Sequence, residues 1–155
     1  VCSSDLVTGV TVQKMVKEMD AGDVLGKAEA NIFPDDTTMT LRARLIALGS
    51  ALLLGLLPKV ETGDAIGTPQ NHSEATFAGK IEKSEGELDL AGDAKTNWNK
   101  YRAYAENPGT YFFMEKNGKH MRVKIKTATF ENGTFIPLRV VPEGKNEADY
   151  ASLIT

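Results

Sequence analysis

Hydrophobic and polar positions split the chain into a first part with one long helical stripe and a second part dominated by alternation. Val10 and Val12 alternate with Thr11 and Gln13, a period of two that predicts a strand over about residues 9–16. An Asp20-Ala21-Gly22-Asp23 turn follows. Residues 25–33 read as a second strand, with Ala28, Ala30 and Ile32 on one face and Glu29 and Asn31 on the other. Pro34 ends it, because a proline cannot donate to a sheet ladder. Asp35-Asp36-Thr37-Thr38 then offers N-cap side chains and negative charge at the positive end of a helix dipole. From there Leu41, Leu45, Leu48, Leu52 and Leu56 fall on one helical face, which predicts a core helix, and Pro58 is expected to stop it.

Residues 59 to about 76 contain Gly63, Gly67, Pro69, Asn71 and His72 with little periodicity and read as a linker. His72 has no second histidine or cysteine at ligand spacing, so it reads as a solvated loop side chain. A helix is expected over residues 93–105, with Trp98, Tyr101 and Ala105 on one side and Asn107-Pro108-Gly109 breaking it. Strands are expected at residues 110–115, 119–129 and 134–141, joined by the tight-hairpin signals Asn117-Gly118 and Asn132-Gly133. Val123, Ile125 and Thr127 alternate with Arg122, Lys124 and Lys126, giving one apolar and one basic face, as a nucleic-acid-binding small barrel would have. The expected domains are residues 7–62 and 77–155, with a linker at 63–76.

Composition narrows the class. At 155 residues, 41% hydrophobic and 25% charged, the chain suits one average domain or two small ones and falls outside the disordered, collagen-like and coiled-coil classes. Its longest apolar run, residues 45–57, is broken by glycines and shorter than the roughly 20 residues of a membrane span, so a soluble protein with no membrane partner is expected. Val1-Cys2-Ser3-Ser4-Asp5-Leu6 lacks the basic and apolar regions of a signal peptide and reads as a non-native artefact fused to a truncated frame. Cys2 is the single cysteine, so no disulfide and no thiolate metal site are expected, in keeping with the cytoplasm.

The net charge of −3 conceals an asymmetry: residues 1–76 carry −4 and residues 77–155 carry +1. Residues 95–126 alone hold eight Lys and Arg against Glu106 and Glu115. That local excess suits a polyanion or, equally, a solvated barrel face.

Asp20 and Asp23 are the paired carboxylates in a setting that suggests chemistry, although a D-x-G-D tetrapeptide on its own reads better as a turn. The longer stretch Thr8-Gly9-Val10-Thr11, Met15, Asp20-Ala21-Gly22-Asp23 and Leu25 resembles the T-G-V-T-x-x-x-M-x-x-x-x-D-x-G-D-x-[IL] loop of the methionyl-tRNA formyltransferase family. Phe77-Ala78-Gly79-Lys80-Ile81, with Lys83, Gly86 and Asp89, is similar to the opening of that family's C-terminal domain. Arg102-Ala103, Pro108-Gly109-Thr110-Tyr111 and the Pro142-Glu143-Gly144-Lys145 close follow in the family's order. Leu90 stands where the family has Trp, Ala105-Glu106-Asn107 departs from its x-Pro-Trp, and the segment between Phe130 and Pro142 is short for it. The family's N-x-H catalytic pair and S-L-L-P folate segment have no counterpart.

The resemblance implies an α/β fragment of a Rossmann-like formyltransferase domain followed by a small, mostly-β, OB-like barrel. It implies formyl transfer from 10-formyltetrahydrofolate, as co-substrate and without a metal, to methionyl initiator tRNA by a monomeric enzyme, with this chain inactive alone. Asp20 takes the catalytic role in that expectation, Val16, Lys17, Glu18 and Met19 line the folate site, and Asp23 braces the turn. Lys100, Arg102, Lys116, Lys119, Arg122, Lys124 and Lys126 are the expected tRNA contacts. Two alternatives stay open: a formyltransferase with another amine acceptor, and a free-standing nucleic-acid-binding module over residues 77–155. The Asp20 loop discriminates against the second, since a binding module needs no folate-site carboxylate.

Overall fold

A computed structural model describes residues 6–116 and 118–154. Cys2 and most of the leading hexapeptide lie outside the described residues, as do Asn117 of the first hairpin signal and the side chain of Lys119. By contact the described chain forms two units, one of residues 6–34 and 40–79, the other of residues 80–154 together with 35–39.

In the first unit, β1 (Val7–Gln13) and β2 (Val24–Asn31) pair antiparallel, with Val7 opposite Asn31 and Thr11 opposite Lys27. The first strand stops at Gln13, three residues short of expectation, because the Lys14 N–H leaves the ladder and donates to Asp23 O at 2.9 Å, closing the acidic loop. The unit thus holds a two-stranded antiparallel hairpin, and no parallel sheet is present among the described residues.

α1 (Thr38–Thr62) carries the leucine stripe against this hairpin: Gly49 meets Val10, and Leu52 and Leu56 lie over Gly26. The expectation of a core helix holds only for the stripe. Leu41 is buried and Leu45, Leu48, Leu52 and Leu56 are half-buried, but Ile46, Leu53, Leu54, Leu57 and Val60 on the other faces are exposed. The reason is that a two-stranded ribbon can cover one face of a helix and no more. Pro58 does not stop the helix, which runs one turn further to Thr62. A proline four residues from the end removes one donor, and the Thr62 hydroxyl donates to Pro58 O at 3.1 Å within that last turn. With this extension and its polar first turn the helix reaches 25 residues, long and apolar enough by length and composition to cross a membrane, which the 45–57 run alone was not.

Residues 63–76, read as a linker, are held within the first unit. Val24 and Thr68 exchange two backbone hydrogen bonds of 2.9 Å, and a short 3₁₀ turn forms at His72–Glu74.

The second unit packs α2 (Ala94–Tyr104) on a four-stranded antiparallel meander. Its strands are β3 (Thr110–Lys116), β4 (Lys119–Glu131), β5 (Thr134–Pro142) and a short β6 (Ala148–Asp149), which no periodicity announced, and α3 (Ala151–Ile154) ends the fold. Asn132 and Gly133 adopt φ of 51° and 78°, the paired left-handed residues of a tight hairpin turn, and so set Glu131 opposite Thr134. Asp93 caps α2, its carboxylate accepting from Thr96 N at 2.7 Å. Trp98 and Tyr101 face the sheet as expected, Trp98 stacking on Tyr101 at 5.6 Å and on Phe130 at 6.1 Å, above Phe112, Val123, Ile125 and Val140. Among the described residues the sheet does not close: β3 bonds β4, β6 bonds β5, and beyond β3 lies a parallel bridge, Glu87 with Tyr111. No closed barrel of the expected OB-like kind is present among the described residues, where β6 is two residues long and offers little ladder for β3 to complete.

Candidate functional site

The acidic loop between β1 and β2 is built by backbone geometry before any side chain acts. Asp20 sits in the left-handed region at φ 54°, which aspartate tolerates better than most residues. Gly22 is buried, and a Cβ there would lie 1.8 Å from Lys14 O, so this position of the motif admits only glycine. The turn leaves the Asp20 side chain exposed, with Gln13 Nε2 donating to its Oδ1 at 3.3 Å. Asp23 is half-buried, and its backbone carbonyl closes the loop through Lys14.

This loop forms one wall of a groove of about 920 Å³ within the first unit. Asp20, Lys27, Gln70, Asn71, His72 and Glu74 are among its polar groups, and Met19, Val24, Leu25, Pro69 and Phe77 among its apolar ones. Of the expected folate-lining residues Met19 lines the groove, while Val16, Lys17 and Glu18 are exposed and stand outside its lining. Gln70, Asn71 and His72 were missed as groove residues because the 59–76 segment has no periodicity. The one available signal was its run of hydrogen-bonding side chains directly after Pro69. Among the described residues no group of His, Cys, Asp and Glu could hold a metal ion.

The expected tRNA-contacting cations divide into two sets. Lys100 Nζ donates to Glu87 O at 2.6 Å and Lys116 Nζ to Leu153 O at 2.8 Å. Arg102 donates to Asp36 O at 3.3 Å and to Asn99 Oδ1 at 3.1 Å, joining residues 35–39 to their unit. These three brace the fold. Arg122, Lys124 and Lys126 instead alternate with the buried Val123 and Ile125 along β4, and Lys124 and Lys126 are exposed.

Beside them the sheet carries aromatic rings that the charge pattern did not reveal. The Arg122 guanidinium lies 3.7 Å from the Tyr111 ring, Tyr111 meets Phe113 edge-on, and Phe113 stacks on His120 at 4.6 Å. Their signal lay in the strand alternation, since Tyr111 and Phe113 flank the core residue Phe112 and so share the opposite face.

The chain matches known proteins across both units. Residues 2–57 match the formyl transferase family and residues 80–148 the formyl transferase C-terminal domain, the first match beginning inside the hexapeptide expected to be foreign. The methionyl-tRNA formyltransferase of Bdellovibrio bacteriovorus is 39% identical over 132 residues, which is 85% of this chain and 41% of that protein. The chain thus spans about two fifths of the length of the curated relatives it matches. HypX from Aquifex aeolicus, solved with tetrahydrofolic acid, superposes with a TM-score of 0.76 at 20% identity, over 98% of this chain and 30% of that one. An N-formyltransferase from Helicobacter canadensis, solved with folinic acid and dTDP-3-aminofucose, gives 0.63 at 17% identity, over 82% and 46%.

Proposed function

We propose that this chain, a member of the formyltransferase family, is part of an enzyme that formylates the α-amino group of methionine on initiator tRNA in the cytoplasm, acting as a monomer. The observation that carries the reading is the co-linear match of both units to one family, with 39% identity to a methionyl-tRNA formyltransferase.

The family uses 10-formyltetrahydrofolate, and the groove of the first unit fits such a donor. Its volume of about 920 Å³ lies within the range of small-ligand sites. Its wall sets apolar Met19, Leu25 and Phe77 beside the polar side chains of Asn71 and His72, which suits a flat, polar-edged heterocycle. When bound, the folate supplies an electrophilic formyl carbon for an amine to attack. The chain's own contribution is then the Asp20 carboxylate, which holds the proton leaving that amine or the water that carries it. Gln13 Nε2 donates to one of its oxygens at 3.3 Å, and the side chain is exposed along the groove.

For the acceptor, the reading rests on Arg122, Lys124 and Lys126 with the exposed Phe113 and His120 rings, while the buried Tyr111 backs Arg122. Cations beside aromatic faces suit a phosphate backbone and its bases. Lys100, Arg102 and Lys116 contribute less, because phosphate contact would compete with the carbonyls they already hold. The test is an assay of the full-length enzyme carrying this chain, supplied with 10-formyltetrahydrofolate and either methionyl initiator tRNA or a nucleotide-linked amino sugar. Formylation of the tRNA supports the proposal. Formylation of the sugar alone selects the second reading, which the likeness to the H. canadensis fold keeps in view. Binding of tRNA with no transfer to either would leave only a nucleic-acid-binding module.

A further inference from the structure

We infer that Gln70, in the segment the sequence reads as linker, is a positioning residue that fixes the Asp20 carboxylate. The inference rests on the reading of Asp20 as the transfer-site carboxylate.

Gln70 Nε2 donates to Gly22 O at 2.7 Å and to Asp20 O at 2.8 Å, and it lies 3.2 Å from Gln13 Oε1. One side chain therefore gathers two carbonyls of the acidic turn and the amide of the strand before it. The contact with Gln13 decides an orientation. With its Oε1 turned to Gln70, Gln13 must present Nε2 to Asp20 Oδ1, as it does at 3.3 Å. The flipped amide would set two NH₂ groups against each other and an oxygen against a carboxylate. Gln70 thus acts on both ends of Asp20, directly on its backbone carbonyl and through Gln13 on its carboxylate.

Asp20 gains from such a hold, since its φ of 54° is sparsely populated even though aspartate tolerates it better than most residues. Gln70 can impose it because its own backbone is anchored two residues earlier, where Thr68 exchanges two hydrogen bonds of 2.9 Å with Val24. All of these residues belong to the first unit.

The test uses the full-length transferase. Gln70→Met keeps length and bulk and removes both donors. Its kcat is expected to fall on the order of 10- to 100-fold, as for a reacting group displaced by about 1 Å, with the KM for 10-formyltetrahydrofolate little changed. In an Asp20→Asn background, Gln70→Met should add no further loss, because the relay would have nothing left to orient. If Gln70→Met matches the parent while Asp20→Asn is impaired, the inference fails and the reading of Asp20 stands. Losses that add in the double variant overturn it too, since Gln70 would then act independently. An Asp20→Asn enzyme with parental kcat overturns both. Should Gln70→Met not fold, Gln70→Asn keeps the amide one methylene short, and hydrogen exchange at Ala21 to Asp23 should quicken; parental exchange rates there would overturn the inference.

Discussion

Gly22 shows how a single residue decides the shape of the site. Its absent side chain lets Lys14 O lie 1.8 Å from where a Cβ would stand, and in the same close approach Lys14 N–H donates to Asp23 O. Gly22→Ala should therefore open the loop and cost about 1–3 kcal/mol, read as a lowered melting temperature with faster amide exchange at Lys14. Asp93 makes a pH prediction of defined sign. Its carboxyl is held below the ordinary 3.8 by hydrogen bonds from Thr96, first from the hydroxyl and then from the backbone N–H. A carboxylate lowered in the folded state adds stability that is complete above its unfolded value and disappears as pH falls through the folded one. The second unit should lose stability as pH drops below about 4, and Asp93→Asn, which keeps a capping oxygen, should remove part of that dependence in acid-melt experiments. At this scale Asp20 and Gly22 were legible, because their spacing is local. Gln70 was not, because it meets its partners across 48 to 57 residues of chain.

At the scale of elements, α1 and the hairpins separate what periodicity can foretell from what packing decides. The leucine spacing gave the helix its inner face, and Asn132-Gly133 gave the β4–β5 turn its register. The fate of Pro58 was not legible, because a proline near a helix end loses one bond while a Thr62 hydroxyl donating to Pro58 O holds the last turn. Pro58→Ala restores a donor and relieves the ring clash, and should stabilise α1 by up to about 3 kcal/mol in thermal denaturation. In the second unit, Trp98 joins α2 to the sheet through its stacking on Phe130 and its tilted contact with Phe135. Trp98→Ala should cost about 3–5 kcal/mol and abolish most of the near-ultraviolet circular dichroism. The exposed ring of Phe113 and the buried one of Tyr111 beside it were readable in principle, but alternation alone does not say which face of a strand is covered.

For the whole molecule, the prediction concerns charge. If Arg122, Lys124 and Lys126 meet tRNA phosphates, replacing all three with neutral residues should lower the salt slope of tRNA binding by about one per cation removed. Lys100→Gln, by contrast, should leave that slope close to parental, since its ammonium already holds Glu87 O. An equal fall in both would show that net charge and not the β4 face governs binding. The sequence by itself determined the helix stripe, the hairpin turns, the acidic loop and the co-linear likeness to formyltransferases, since each depends on residues a few positions apart. Only the tertiary structure decided that the sheet stays open among the described residues, that three of the seven expected tRNA cations are spent on carbonyls, and that the apparent linker bonds to the Asp20 turn. Those outcomes turn on which distant backbone groups need partners once the chain has folded, and no local pattern records that.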